Sequence, residues 1–502
     1  MQQRSGIIQD NAELYEKGSP EPKIFREGNM EKKTRLDVTD ESRAVWKTVV
    51  LLAWPVFVEQ IFTTLVQMAD TAMVGSLGKE ATAAVTISNA PVFLLNGVIM
   101  SLGVGITALI ARAVGESDTA RVRKLMHHTL LAILYIGVPI CAIVLALSKA
   151  IPLWMGAEPN VLDLAWRYNF IVSLGRFFFI PSMVLNSAFR GYGDTKTPMV
   201  VNLITNIVNV ILNFFLIYKT RPLNMLGFEM IMPGAGWGVQ GAAAATAVGM
   251  IVGGLLAFYI AFRKSNEYRI SLKGGFKPDM PLTKMIFKIS IPAMLERIFM
   301  SSSGIFVTSA IASLGTVAVA SNSLSLTAES MSYMPAFAFQ MAITTLVGQA
   351  LGAKKPDLAT RFVRVTMGMG TVVMAAATAG LFIYANPIIG LFTKDAEVIA
   401  LASACLRIVA LIQIPQMAAW VLGGVLRGAG DTNTVFIVTA VTNWCIRTLF
   451  SVVCVRLLHM DLLAVMYVMC LEILVRLAWL FIKYKQGSWK TYMERKEASA
   501  QK

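Results

Sequence analysis

The sequence predicts an all-α integral membrane protein, with twelve transmembrane helices in two six-helix bundles related by a pseudo-two-fold axis along the membrane normal. Three observations predict it. Of the 502 residues, 56% are hydrophobic and 15% are charged, whereas soluble domains carry about 25% charged residues. Twelve apolar runs are each long enough to cross the hydrocarbon core, which takes about 20 residues. The second half of the chain also repeats the first at a constant offset, the signature of an architecture built from two copies.

The runs fall at 48–74, 82–112, 126–148, 161–189, 198–218, 238–262, 286–312, 317–350, 363–385, 396–426, 434–455 and 461–482. Several exceed a minimal span, so tilt or extension beyond the bilayer is expected. Basic residues alternate between the connecting segments. One side receives the N-terminal segment, Arg121–Lys124, Arg190–Lys196, Arg263–Lys284, Lys354–Arg364, Arg427 and the C-terminal tail. The other holds Lys79, Lys149, Lys219, Arg221, Lys394 and Arg456. Positive charge is retained in the cytoplasm, so both termini are expected there, with the plasma membrane as the expected location. The net charge of +15 follows from this bias, and no nucleic-acid partner is expected.

Residues 1–45 are rich in charged and polar side chains and lack an apolar signal-peptide core, and read as a disordered cytoplasmic extension. A first lobe is expected over 46–261, a flexible cytoplasmic linker over 262–285, a second lobe over 286–484 and a cytoplasmic tail over 485–502. Cys141, Cys405, Cys445, Cys454 and Cys470 form no CxxC pair, and His127, His128 and His459 have no partners at metal spacing. Neither a disulfide framework nor a structural metal is indicated, and no nucleophile or acid pair suggests an enzyme.

The offset is 237 residues. It carries Pro55 and Glu59 onto Pro292 and Glu296, Ser76-Leu77-Gly78 onto Ser313-Leu314-Gly315, Ile106-Thr107 onto Ile343-Thr344, and Gly115 onto Gly352. It also carries Arg190-Gly191 and Gly193-Asp194-Thr195 onto Arg427-Gly428 and Gly430-Asp431-Thr432, and Thr205-Asn206 onto Thr442-Asn443. In this loop motif Gly191, Gly193, Gly428 and Gly430 are expected to permit tight turns, Asp194 and Asp431 to cap the next span, and Arg190 and Arg427 to hold helix C-terminal carbonyls, the alternative being contact with substrate.

Ionisable residues inside a span are functional candidates, because each costs at least ~2.5 kcal/mol to insert. The first span carries Glu59, Thr63, Gln67 and Asp70, with Glu59 and Asp70 on one face. Asp70 is the candidate for cation coupling, the alternative being a structural interhelical bond. The fifth span carries Asn202, Asn206, Asn209 and Asn213 on one stripe, which suits interhelical hydrogen bonding or the tuning of Asp70. Asp70 maps to Val307 in the second half, where the buried acids are Glu296 and Glu329. Glu472 and Arg476 read as an intrahelical pair. Arg407 and Arg447 lie mid-span, either paired with Glu296, Glu329 or carbonyls, or lining an anion-binding lobe.

Taken together, the two Arg-Gly-x-Gly-Asp-Thr loops, Pro55-x-x-x-Glu59, Asp70-Thr71 and Val74-Gly75-x-Leu77-Gly78 resemble the multidrug and toxic compound extrusion (MATE) transporters over roughly residues 45–485. The resemblance implies a secondary antiporter that exports organic cations against inward proton or sodium flow. It implies a cation site at Asp70, Tyr168, Asn186, Asn209, Asn213 and Thr246. Asn213 stands where some relatives carry Asp, and Gln416 where NorM-type relatives carry an acid. The first departure puts sodium chelation in doubt, a proton being at least as well suited; the second, with Val307 at the position matching Asp70, places coupling in the first lobe, resembling the DinF-type arrangement. Glu59, Gln67, Glu296, Gln416, Arg407 and Arg447 are the substrate-cleft candidates. The expected partners are a small organic substrate and the bilayer, the protein acting as a monomer. The alternatives are a flippase of lipid-linked intermediates or an exporter of organic anions.

Overall fold

The computed structural model describes residues 43–263 apart from 226–227, together with 268–270 and 278–495. The expected extension therefore lies outside the described residues as far as residue 42, as do residues 264–267 and 271–277 of the linker and residues 496–502.

The main α-helices among the described residues are, in chain order, α1 (Val45–Gly75), α2 (Lys79–Gly115), α3 (Thr119–Ala146), α4 (Ala150–Trp154), α5 (Pro159–Gly191), α6 (Lys196–Leu216), α7 (Val239–Phe262) and α8 (Met280–Ala312), the first eight. The second eight are α9 (Thr316–Ser332), α10 (Met334–Gly352), α11 (Pro356–Ile383), α12 (Ala385–Gly390), α13 (Ala396–Leu411), α14 (Gln413–Gly428), α15 (Thr432–Leu457) and α16 (Leu462–Lys485). Among the described residues, ten helices are long and apolar enough to cross a membrane, and eleven if the bent pair α13–α14 is one span. The seventh expected span is present as the 33-residue α8 but is not among these; it carries Lys284, Lys288, Glu296 and Arg297.

Two expected spans are interrupted, and proline accounts for both. The run 317–350 breaks at Tyr333, with Pro335 in the first turn of α10. The run 396–426 breaks at Ile412, with Pro415 in the first turn of α14, and the halves meet at 50°. A proline lacks the N–H that would continue the preceding helix. Pro55 and Pro292, repeat mates, sit inside continuous helices.

The chain is nearly, not wholly, α-helical. Lys219–Met225 and Phe228–Ala235 pair as an antiparallel hairpin between α6 and α7. Nor are the linker and tail wholly free. Tyr268 and Ile270 are buried in the core of the first half, where the Ile270 N–H donates to the Ala261 carbonyl at 2.9 Å. Trp489 and Met493 are buried as well, Met493 against the same core.

The halves meet chiefly where α2 packs on α8 and α10. Thr345 Oγ1 donates to the Arg190 carbonyl at 3.0 Å, and Gln349 Nε2 to the Gly191 carbonyl at 3.1 Å. Gly115 and Gly352 lie at the same contact, where a Cβ on either would run into backbone of the opposite half. At the other ends of the helices, Gly75, Gly78 and Gly315 have open space around them.

The repeated loops are built alike. Asp194 accepts from the Thr197 N–H at 2.9 Å and its hydroxyl at 2.6 Å; Asp431 accepts from the Thr434 N–H at 3.1 Å and its hydroxyl at 2.7 Å. Both are the expected caps. Gly193 and Gly430 take the turn, with φ of 90° and 82°. Gly191 and Gly428 serve differently from expectation. They end α5 and α14, where a side chain would strike the backbone at Thr107 and at its repeat mate Thr344, so glycine allows close helix approach.

Losing a cap of this kind costs about 1 kcal/mol. Asp431→Ala and Asp194→Ala are each expected to lower the melting temperature in detergent, with Asp431→Asn close to wild type because Asn also caps. Equal melting of Asp431→Ala and wild type would exclude a capping role.

Candidate functional site

Helices α1 and α6 run parallel, and their polar residues pair at a constant separation of 143 positions. Asn202 Nδ2 donates to Glu59 Oε1 at 2.6 Å, Asn206 Nδ2 to Thr63 Oγ1 at 3.4 Å, and Asn213 Nδ2 to Asp70 Oδ1 at 2.5 Å. The amides of α6 recur every three or four residues, so they form one stripe, and that stripe lies against the polar face of α1. Asn209 completes the Asp70 cluster. It accepts from Asn213 Nδ2 at 3.3 Å and donates to Thr246 Oγ1 on α7 at 3.1 Å. Tyr168 on α5 is buried, lies in the field of Asp70 and hydrogen-bonds Asn89, which sequence reasoning did not single out.

Five of the six residues of the expected cation site are thus associated. Asn186 is the sixth. Among the described residues no hydrogen bond joins it to the others; it lines a separate central cavity, and its Oδ1 is buried without a partner.

That cavity, of about 250 Å³, lies between the halves, with Glu59, Arg190, Glu296, Arg297 and Arg427 as its charged lining. Its walls are pseudo-symmetric. Arg190 Nη2 meets Glu59 Oε1 at 2.6 Å; Arg427 Nη2 meets Glu296 Oε1 and Oε2 at 2.7 and 2.9 Å. Thr439, the repeat mate of Asn202, donates to Glu296 Oε1 at 3.3 Å. This overturns the expectation that Arg190 and Arg427 hold helix C-terminal carbonyls. Each guanidinium instead turns to a buried carboxylate, which needs a compensating cation in a low-dielectric setting.

The other cleft candidates fare unevenly. Glu59 and Glu296 line the cavity, but Gln67 does not: it is exposed, while Gln60 lines the wall in its place. Gln416 is also off the cavity, with its Oε1 buried and unpartnered. The amide that reaches an acid is Gln413, which donates to Glu329 Oε1 at 3.2 Å. Arg407 binds the Phe382 carbonyl and Asn386 Oδ1, each at 3.4 Å. Arg447 lies in a π-helical turn of α15 beside Met469 Sδ, with Glu472, Arg476 and Glu329 as electrostatic neighbours. Neither arginine lines the cavity, so neither makes it basic. Glu472 and Arg476 form the expected intrahelical pair.

The repeat is broken at the Asp70 cluster. Shifting Asp70, Tyr168, Asn186, Asn209 and Asn213 by 237 gives Val307, Cys405, Gly423, Ile446 and Phe450, so only the first half carries this constellation. Among the described residues no three His, Cys, Asp or Glu side chains could jointly hold a metal ion.

A polytopic helical repeat with charged groups around a central cavity, and an acid–amide cluster in the first half that the second does not repeat, is the build of a multi-pass membrane transporter. The chain matches the MatE family over residues 55–215 and again over 292–453, more than half of its length, and belongs to that family, whose members are transporters rather than enzymes. The probable multidrug resistance protein NorM of Thermotoga maritima is 27% identical over 451 residues, which cover 90% of this chain and 94% of that protein. A multidrug resistance MATE family transporter of the MOP superfamily in an outward-facing conformation aligns with a TM-score of 0.80 at 24% identity, covering 89% of this chain and 97% of that one. A MOP superfamily transporter from Pyrococcus furiosus, described as having a binding pocket of reverse polarity that suggests a different function, aligns with a TM-score of 0.80 at 23% identity and the same coverage. At these identities the structural likenesses establish the fold.

Removing one partner of a buried ion pair strands the other charge, at about 3 kcal/mol. Glu296→Gln and Arg427→Met are each expected to destabilise the protein by about that much, and the double variant by less than both together. Additive losses in a double-mutant cycle would mean that the pair does not act as a unit.

Proposed function

We propose that this protein is a secondary antiporter that exports amphipathic organic compounds, cationic drugs among them, in exchange for protons by alternating access. The observation that carries this reading is the Asp70 cluster. Its one carboxylate accepts from Asn213 on α6 and sits on the same helix as the cavity residue Glu59, about 16 Å along that helix axis. Ionised, Asp70 accepts a charge-assisted bond from Asn213; a proton removes the charge and roughly halves the strength of that bond. Because α1 carries both residues, loosening its outer half shifts the wall at Thr63 and Glu59, with Pro55 as the flexible point. The names of relatives such as the Thermotoga protein support drug efflux as the task.

Proton coupling is favoured over sodium. Asp70 is the one carboxylate of the cluster and its hydrogen-bond partner is an amide, Asn213, whereas a hard cation requires several oxygen ligands. Coupling in the first half alone corresponds to the DinF-type arrangement, supported by the apolar residues at the repeat-related positions.

The architecture proposed for this cycle is twelve spans in two six-helix lobes, rocking about the cavity. Support comes from the family match, which recurs in each half, and from the Glu–Arg pairs at repeat-related positions. With the basic loops in the cytoplasm of a plasma-membrane monomer, the contacts at Thr345, Gln349, Gly115 and Gly352 close the cytoplasmic end, and the cleft opens outward.

Two experiments test the reading. In sealed vesicles, a pH gradient without sodium is expected to drive dye efflux by wild type, and Asp70→Asn to abolish it while remaining folded and inserted. Strict dependence on a sodium gradient overturns proton coupling, and wild-type efflux by Asp70→Asn overturns the coupling site. Cysteines at Ser76 and Ser313, in a background without native thiols, test the rocking lobes. Cross-linking is expected to block transport and reduction to restore it. A cross-link that leaves turnover unchanged contradicts the model.

A further inference from the structure

The Glu–Arg pairs leave one charge in the cavity unmatched. Glu59 faces Arg190 and Glu296 faces Arg427, so four of the five charged lining residues cancel. The fifth is Arg297. Its sequence neighbour Glu296 has both oxygens engaged by Arg427. Among the described residues no hydrogen bond or ion pair is made by Arg297, which is exposed to the cavity. Its repeat mate is Gln60, a neutral residue in the same cavity lining. The charge therefore marks a place where the two halves differ.

The opposite wall holds groups of the complementary kind. Glu59 Oε1 takes both Arg190 and Asn202, and Glu59 Oε2 is left without a partner; Asn186 Oδ1 is likewise an unpartnered buried acceptor. Buried acceptors left unsatisfied carry a free-energy cost, and among the described residues the guanidinium exposed to the cavity has no opposite charge engaged with it. A ligand bearing a donor at one end and an acid at the other relieves both. Met100, Met183, Phe337 and Met341 provide adaptable apolar surface for the body of such a molecule.

We infer that Arg297 is the specificity-determining residue of the cavity, binding the carboxylate of an amphipathic zwitterion whose ammonium group faces the Glu59–Asn186 wall. A planar guanidinium grips a carboxylate through two parallel N–H donors. A compound with only a cationic group gains nothing from Arg297 and is repelled by it. The inference rests on the cavity being the transport site proposed above, and refines the substrate from organic cations to molecules that also carry an acid.

The test uses the full chain purified in detergent, with binding read by quenching of its tryptophan fluorescence. The probes are an aromatic amino acid amphipath, its methyl ester, which keeps only the amine, and its N-acetyl form, which keeps only the acid. Wild type is expected to bind the zwitterion at least about tenfold more tightly than the ester, since a hydrogen-bonded charge pair is worth that much. Arg297→Gln, which copies the Gln60 side of the repeat, is expected to bring the zwitterion-to-ester ratio close to one, and Arg297→Lys to retain part of it. Equal binding of ester and zwitterion by wild type, or an unchanged ratio in Arg297→Gln, overturns the proposal. N-acetyl binding as tight as that of the zwitterion overturns the role of the acceptor wall. Displacement of the zwitterion by phosphatidylglycerol in mixed micelles, with no preference left in lipid-free detergent, would assign Arg297 to a lipid headgroup and overturn a soluble substrate. A preserved preference without gradient-driven efflux would refute the transport reading, and with it the role of Arg297 in choosing a transported substrate, while leaving its carboxylate binding in place.

Discussion

The cost of placing charge inside a membrane protein organises this molecule. Glu59 and Glu296 are each 6% exposed, and each is matched by an arginine from the end of a helix in the same half. The match demands close packing. Arg190 and Arg427 stand just before Gly191 and Gly428, whose missing side chains let α5 approach α2 at Thr107 and α14 approach α10 at Thr344. Asp194 and Asp431 then start the next helix within a few residues, so the Arg-Gly-x-Gly-Asp-Thr motif combines a neutralising charge, a helix contact, a turn and a cap. Its duplication gives the cavity two similar walls.

Function enters where the duplication fails. A perfectly repeated protein would have no reason to favour one half for coupling. Here the first half keeps Asp70 and its amides, while the second has Val307, Ile446 and Phe450 at the corresponding places and packs them as core or surface apolar groups. The cavity departs from symmetry at Gln60 and Arg297. On the proposed reading, one asymmetry supplies the group that exchanges a proton, and the other the group that recognises a substrate. The α1–α6 ladder links the two regions, because Glu59, Thr63 and Asp70 each hold a partner 143 positions along the chain.

Much of this was legible in the sequence. Span positions followed from apolar runs, the duplication from fixed spacing, the amide stripe from helical periodicity, and the caps from the Asp of the repeated loop motif just before the next span. What escaped depends on reach and direction in space. A long arginine at a helix end can turn to solvent, to a carbonyl or to the interior, and no local pattern separates these for Arg190 and Arg427. Arg297 was passed over; one residue from Glu296 on the same helix, it faces away from that carboxylate, which Arg427 engages. Gln413 and Gln416 lie three residues apart on one helix, and only the bend at Ile412 decides which reaches Glu329. The hairpin at 219–235 carries Pro, Gly and Asn among its residues and had no alternating pattern to betray it.

The central claim is that the protonation state of Asp70 sets the arrangement of the two halves. The most direct measurement is the distance between spin labels at Ser76 and Ser313 in lipid nanodiscs, followed by pulsed electron resonance as the pH is lowered. The account predicts a distance distribution that shifts with pH in the wild-type background and does not respond in Asp70→Asn. An identical pH-dependent shift in both proteins would contradict it, because the conformational change would then be governed by a group other than Asp70.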